Sequence, residues 1–163
     1  YVQASVSDFD VLTALGLAYT AVGELEPAKE VFLKARVADP SNGMALVNLG
    51  TLELMAGHRD SARAVLEQAL ELDDSIARAH NTLGVIAAQE GRTQEAVARW
   101  RKAIELNPTD YQTLYNLGVT LEKGGDPDAA RTYFESYVRI APVALEARDI
   151  ARTREWLARN PRQ

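Results

Sequence analysis

The chain has 163 residues, 47% of them hydrophobic and 25% charged, which excludes a disordered, collagenous or linker-like polypeptide and leaves enough apolar side chain for a sizeable core. Eighteen basic against twenty-three acidic residues give a net charge of -5, which repels phosphate backbones and argues against nucleic acid as a partner. Without cysteine there is no disulfide framework, thiolate nucleophile or thiolate metal site, and the redox compartment stays open.

The first residues, Tyr1 to Asp10, lack the basic-then-apolar order of a signal peptide, and no run reaches the roughly 18 apolar residues a bilayer span needs. Position 1 is Tyr, so we expect an excised segment of a longer protein, with cytoplasm and periplasm both allowed. From residue 9 onward the chain repeats itself every 34 residues. The pairs Leu15-Gly16, Leu49-Gly50, Leu83-Gly84 and Leu117-Gly118 share that interval with the series Gly23, Gly57, Gly91, Gly125 and the series Ala28, Ala62, Ala96, Ala130. Phe32, Leu66, Trp100 and Phe134 follow the alanines by four, and Pro40, Pro108 and Pro142 close three of the units.

Taking Leu-Gly as positions 7 and 8 frames four units, 9–42, 43–76, 77–110 and 111–144, behind an N-terminal flank of 1–8. In each, positions 4, 7, 8 and 11 lie on one face of a first helix, and positions 20, 24 and 27 repeat that spacing on a second. Each unit therefore reads as a helical hairpin whose turn is made by the Gly at position 15. The Gly at position 8 costs helix stability, and we expect its compensation to be close approach of the small Ala at position 20. Residues 145–163 hold a C-terminal capping helix and tail, its helix reading from Val143 to Ala158 with Val143, Ala147, Ile150 and Leu157 inward. Trp156 is expected to pack on the fourth hairpin. A first unit with no preceding neighbour offers a face for end-to-end self-association.

The order Leu15, Gly16, Tyr19, Ala28, Phe32, Ala35, Pro40, recurring at 34-residue spacing, resembles the tetratricopeptide repeat (TPR). Departures are confined to single packing positions: Leu12, Leu46, His80 and Leu114 stand where the family often has Trp, Asp74 replaces the terminal Pro, and Tyr137 replaces the second-helix Ala. The resemblance implies an all-α fold, a right-handed α-solenoid of antiparallel helix hairpins, with the first helices lining a concave groove that holds other proteins or peptides.

Catalytic machinery is missing from the pattern. His80 falls on the apolar face of a first helix and reads as a buried structural histidine, while His58 follows a turn glycine and reads as a solvated loop residue. There is no HExxH, phosphate-binding glycine loop or nucleophile elbow, so neither enzymatic activity, nor a metal, nor a cofactor is expected. The carboxylates Glu71, Asp73 and Asp74 fit no calcium loop.

The resemblance places the groove at positions 2, 5, 6, 9, 12 and 13 of the first helices. There the chain presents Leu17, Val47, Asn48, Thr51, Met55, Arg78, Asn81, Val85, Tyr115, Asn116, Val119 and Lys123 as candidate peptide-binding residues. The apolar members either anchor a partner or pack between repeats. The asparagines can offer both donor and acceptor to an extended backbone, as in relatives that carry an asparagine ladder at position 6, although Thr82 breaks it here. Co-chaperones of the family clamp the carboxylates of heat-shock chaperone tails with Lys, Asn and Arg; the matching positions here are Thr13, Leu17, Asn48, Arg78 and Thr82, so such tails are not expected to bind. The expected function is a protein-binding scaffold; the alternative is a substrate-recruiting or dimerising appendage of a larger enzyme whose catalytic domain lies outside this segment.

Overall fold

A computed structural model describes residues 8–161. Among these, nine helices account for the regular structure, in the order α1 (Asp8–Ala21), α2 (Leu25–Ala38), α3 (Gly43–Met55), α4 (Arg59–Leu72), α5 (Ala77–Gln89), α6 (Thr93–Leu106), α7 (Tyr111–Lys123), α8 (Pro127–Ile140) and α9 (Val143–Arg159). The fold is all-α. It divides into two compact units, Tyr1–Ile86 and Ala87–Gln163, with the division inside α5.

The hairpin turns are set by local chemistry that repeats. Gly57 takes φ of 85°, a left-handed conformation that costs an L-residue about 1–2 kcal/mol, and Gly23, Gly91 and Gly125 do the same. Around Gly57 the helix-ending bonds are Gly57 N to Leu54 O at 3.0 Å and His58 N to Glu53 O at 2.8 Å, the latter spanning five residues. The second helices end on another repeated device. Asp39 Oδ1 accepts from Ser41 N and Oγ at 3.2 and 2.7 Å, and Asp73 Oδ1 accepts from Ser75 N and Oγ at 2.8 and 2.6 Å. Asn107 does likewise with Thr109, at 3.3 and 2.9 Å. These Asx turns redirect the chain, and the Ser41 and Ser75 donors hold the Asp39 and Asp73 carboxyls below the usual carboxylate range.

In the first unit, α1 packs on α2, α2 on α3, and α3 on α4. One core cluster joins Ala28 and Phe32 of α2 to Leu49 and Leu52 of α3; a second joins Leu46 and Val47 of α3 to Leu66 of α4 and Leu83 and Ile86 of α5. His80 is buried among these, its Nε2 3.0 Å from the Asp74 carbonyl oxygen, in a structural role. In the second unit, α6 packs on α7 and α7 on α8, and Leu114, Tyr137, Ala141 and Ile150 form the cluster that α9 covers.

Two packing expectations need correction. The position-8 glycine faces chiefly the bulky residue at position 24, and the backbone of the position-20 alanine also comes close in the second repeat, where Ala62 O would lie 3.3 Å from a Cβ on Gly50. A Cβ on Gly50 would lie 2.7 Å from Leu66 Cγ, and on Gly16 or Gly118 it would enter the ring of Phe32 or Phe134. The glycine is a notch that seats a large side chain, so its cost is offset by burial of that residue rather than by backbone contact alone. The second correction concerns α9, where Val143 and Ala147 are exposed while Ile150 and Thr153 are buried. Glu146 has φ of -117° and ψ of 19°, and this kink rephases the helix so that Glu146, Asp149, Ile150, Thr153 and Trp156 turn toward α7 and α8. Trp156 does pack on the fourth hairpin, edge to the Phe134 ring at 4.9 Å between centroids.

Candidate functional site

The face of a first helix left over after hairpin packing is decided by its neighbours. In the first unit α3 has helices on both sides, and this removes two sequence candidates from the surface. Val47 lies wholly within the core cluster of α3, α4 and α5, so it cannot touch a partner. Asn48 is only 2% exposed. Neither its Oδ1 nor its Nδ2 has a hydrogen-bond partner among the described residues, and the same holds for the Oγ1 of half-buried Thr13 on α1. A buried amide with both ends unpaired costs on the order of 1–3 kcal/mol per group.

The surface residues of this unit surround that polar pair in sequence position. Leu17 on α1 and Met55 on α3 are 43% and 54% exposed. Thr51 and Val85 are half-buried, the Thr51 hydroxyl donating to Val47 O at 2.8 Å, and Asn81 is half-buried on α5. Arg78 stands apart. It lines an open cavity of about 610 Å³ with Asp39, Asn42, Met44 and Ser75 at the turn end of α3 and α5, where desolvation lowers its guanidinium below the ordinary value.

In the second unit Tyr115 is already engaged. Its hydroxyl donates to Asp149 Oδ1 of α9 at 3.1 Å, and its ring sits 5.0 Å from Tyr137 and 6.3 Å from Phe134. Burial, then the Asp149 charge, raises the Tyr115 phenol; the same cause, with Glu146 beside it, raises Tyr137. Tyr115 and Val119 line a cavity of about 240 Å³ with Glu122, Phe134, Arg152 and Trp156. Lys123 belongs elsewhere, beside Ala88, Thr93 and Thr120, while Asn116 is half-buried. Sequence reasoning missed Arg152 and Trp156 as lining residues because they come from a helix whose phase the kink at Glu146 changes. Thr13 is legible at position 5, but its unpaired hydroxyl is not.

Among the described residues no three His, Asp or Glu side chains are placed to hold a metal, and no helix is long and apolar enough to cross a membrane.

Comparison with known proteins adds an independent line. Three family models, each of the tetratricopeptide repeat, match residues 9–42, 47–100 and 75–142. No curated protein matches the chain. Solved structures do. PilF of Pseudomonas aeruginosa superposes with a TM-score of 0.75 at 26% identity, over 96% of this chain and 78% of that one. MamA gives 0.66 at 24% identity, over 96% and 84%. YrrB, described as a TPR protein with an unusual peptide-binding site, gives 0.61 at 26% identity, over 86% and 74%. The 34-residue period, the left-handed turn glycines and the paired helices thus coincide with matched models across most of the sequence, and the chain belongs to the tetratricopeptide-repeat family.

Proposed function

We propose that the chain is a non-catalytic protein-interaction scaffold that holds a peptide segment of another protein on the first-helix face of α1, α3 and α5. Residues 9–42, 43–76, 77–110 and 111–144 are its repeats, and 145–163 its cap. The observation that carries the reading is the exposure of two large apolar side chains on first helices, Leu17 of α1 and Met55 of α3. Exposed Leu17 and Met55 supply the apolar anchors, since hydrogen bonds worth about 0.5–1.5 kcal/mol each do not reach micromolar affinity alone. The peptide-binding site described for YrrB supports the class of ligand. Val47 has no part in it, and Tyr115 is held by α9.

The test is a random peptide library selected on the purified protein, followed by anisotropy titration of one selected peptide. We expect affinity on the order of micromolar, weakened about tenfold or more in Met55→Glu and Leu17→Glu variants whose helical circular dichroism is unchanged. Affinity equal to the parent's in both folded variants overturns the site. A free acidic C-terminal peptide should not compete, because of Thr13, Leu17, Asn48, Arg78 and Thr82 only Arg78 carries a cation, and one cation does not make the clamp.

A further inference from the structure

We propose that the cleft between α6 and α7 is a second peptide site, which takes one large apolar side chain of a partner segment whose neighbouring residues are Asp or Glu. It is separate from the first-helix face of α1, α3 and α5, and the proposal does not depend on that reading.

The first unit shows how such an inter-repeat junction is closed. Where α2 meets α3, Lys29 Nζ reaches Glu53 Oε1 at 2.6 Å and His58 Nδ1 lies 3.0 Å from Glu53 Oε2, so a charged cluster bridges the two helices. Two repeats later the same three positions are Val97, Leu121 and Asp126. Val97 and Leu121 cannot make that bridge. Asp126 is committed to α8, its Oδ1 accepting from Ala129 N at 3.0 Å.

In place of the bridge, the junction of α6 and α7 holds an open cavity of about 320 Å³, with Val97, Ala98 and Leu121 as its apolar floor and Thr93, Arg101 and Asp126 at its edge. A second cavity, also of about 320 Å³, adjoins it at Thr93, Thr120 and Gly124 and reaches Lys123. The walls are consecutive helices already packed on each other, so the opening comes from the side chains at the junction. Its size is at the small end of the roughly 300–1,000 Å³ of ligand pockets, which suits an anchor side chain better than a cofactor.

Charge then selects the occupant. Arg101 and Lys123 stand where the first unit has exposed Leu33 and Met55, and among the described residues neither cation is paired with a carboxylate. With the Asp126 carboxylate capping α8, the rim offers two cations beside an apolar floor, on a chain whose net charge is -5. An apolar side chain covers Val97 and Leu121, and carboxylates on the flanking residues meet Arg101 and Lys123. A nucleic acid strand has charge for the rim but no aliphatic group for the floor.

The test is methyl NMR of the purified chain titrated with end-blocked synthetic peptides. We expect EELEE and EEFEE to shift the Val97, Ala98 and Leu121 methyls saturably, with dissociation constants of about 0.1–1 mM, and EEAEE and KKLKK to bind about tenfold more weakly or not at all. Arg101→Glu and Lys123→Glu, both at exposed positions, should each weaken EELEE about threefold or more, and added salt should weaken it in the parent. Val97→Lys combined with Leu121→Glu rebuilds the Lys29–Glu53 bridge in the second unit and should abolish the shift read at Ala98, with helical circular dichroism retained. Met55→Glu should leave EELEE binding unchanged, because Met55 belongs to the other site. Absence of a saturable shift at these methyls up to about 5 mM peptide overturns the proposal. So does EELEE binding that is indifferent to both Arg101→Glu and Lys123→Glu, that survives in the folded double variant, or that is matched by KKLKK.

Discussion

Gly118 lies beneath the Phe134 ring, and an added Cβ there would meet three of its ring carbons. Two effects oppose each other in Gly118→Ala. Helix propensity favours alanine by about 1 kcal/mol, while forcing a methyl into a packed core costs about 1–3 kcal/mol. The ring is buried and held between Tyr115 and Trp156, so it has little room to give and overpacking wins. We expect a net loss of up to about 2 kcal/mol in urea unfolding, partly relieved by adding Phe134→Leu. A variant as stable as the parent would show that the ring moves freely. Gly57→Ala has a different mechanism: open space surrounds that position, and the penalty is the left-handed backbone alone.

At the level of elements, Glu53 ties α3 to its neighbours. Its carboxylate takes Lys29 Nζ of α2 at 2.6 Å and lies 3.0 Å from Nδ1 of His58, the residue before α4, so His58 is exposed but partnered. The Lys29 hydrogen bond, then that of His58, holds the Glu53 carboxyl below its usual value, and Lys29 is raised in turn. A folded-state value below the unfolded 4.5 stabilises at pH above 4.5 and is lost as pH falls through the folded value. Glu53→Gln should therefore destabilise at pH 7, with the gap to the parent narrowing below pH 4.5 in urea titrations; a gap constant from pH 7 to 3 would remove Glu53 from the acid response. The hairpins were legible in the sequence because turn glycines and prolines act over a few residues, whereas the Asx turns that end the second helices were found only in the structure. The partner of the notch glycine was not, because choosing between Ala62 and Leu66 depends on the axial stagger of two helices. The α9 face was misjudged for a similar reason, since the kink at Glu146 has no sequence signature. Val47 and Asn48 show the limit most clearly: periodicity marks a free helix face, but only the neighbouring hairpins decide whether anything reaches it.

For the molecule as a whole, stability should be graded along the chain rather than uniform, because each helix pair is secured chiefly by its immediate neighbours. Within the first unit, amide hydrogen exchange should be slowest in α3 and fastest in α1, the helix with one buried residue. Equal protection of α1 and α3 in dilute solution would contradict the gradient. Composition gave the class of molecule and the repeat gave its construction, but neither could separate a surface that packs on the next hairpin from one that receives a partner.

The notch that seats Phe134 over Gly118 also has a mechanical meaning. Sliding α8 along α7 by one helical turn, about 5.4 Å, would carry the ring from the glycine onto Leu114 or Leu121, where there is no room for it. The ring is a detent that blocks shear between the two helices. Under load, this hairpin should bend or open as a unit before its helices slip.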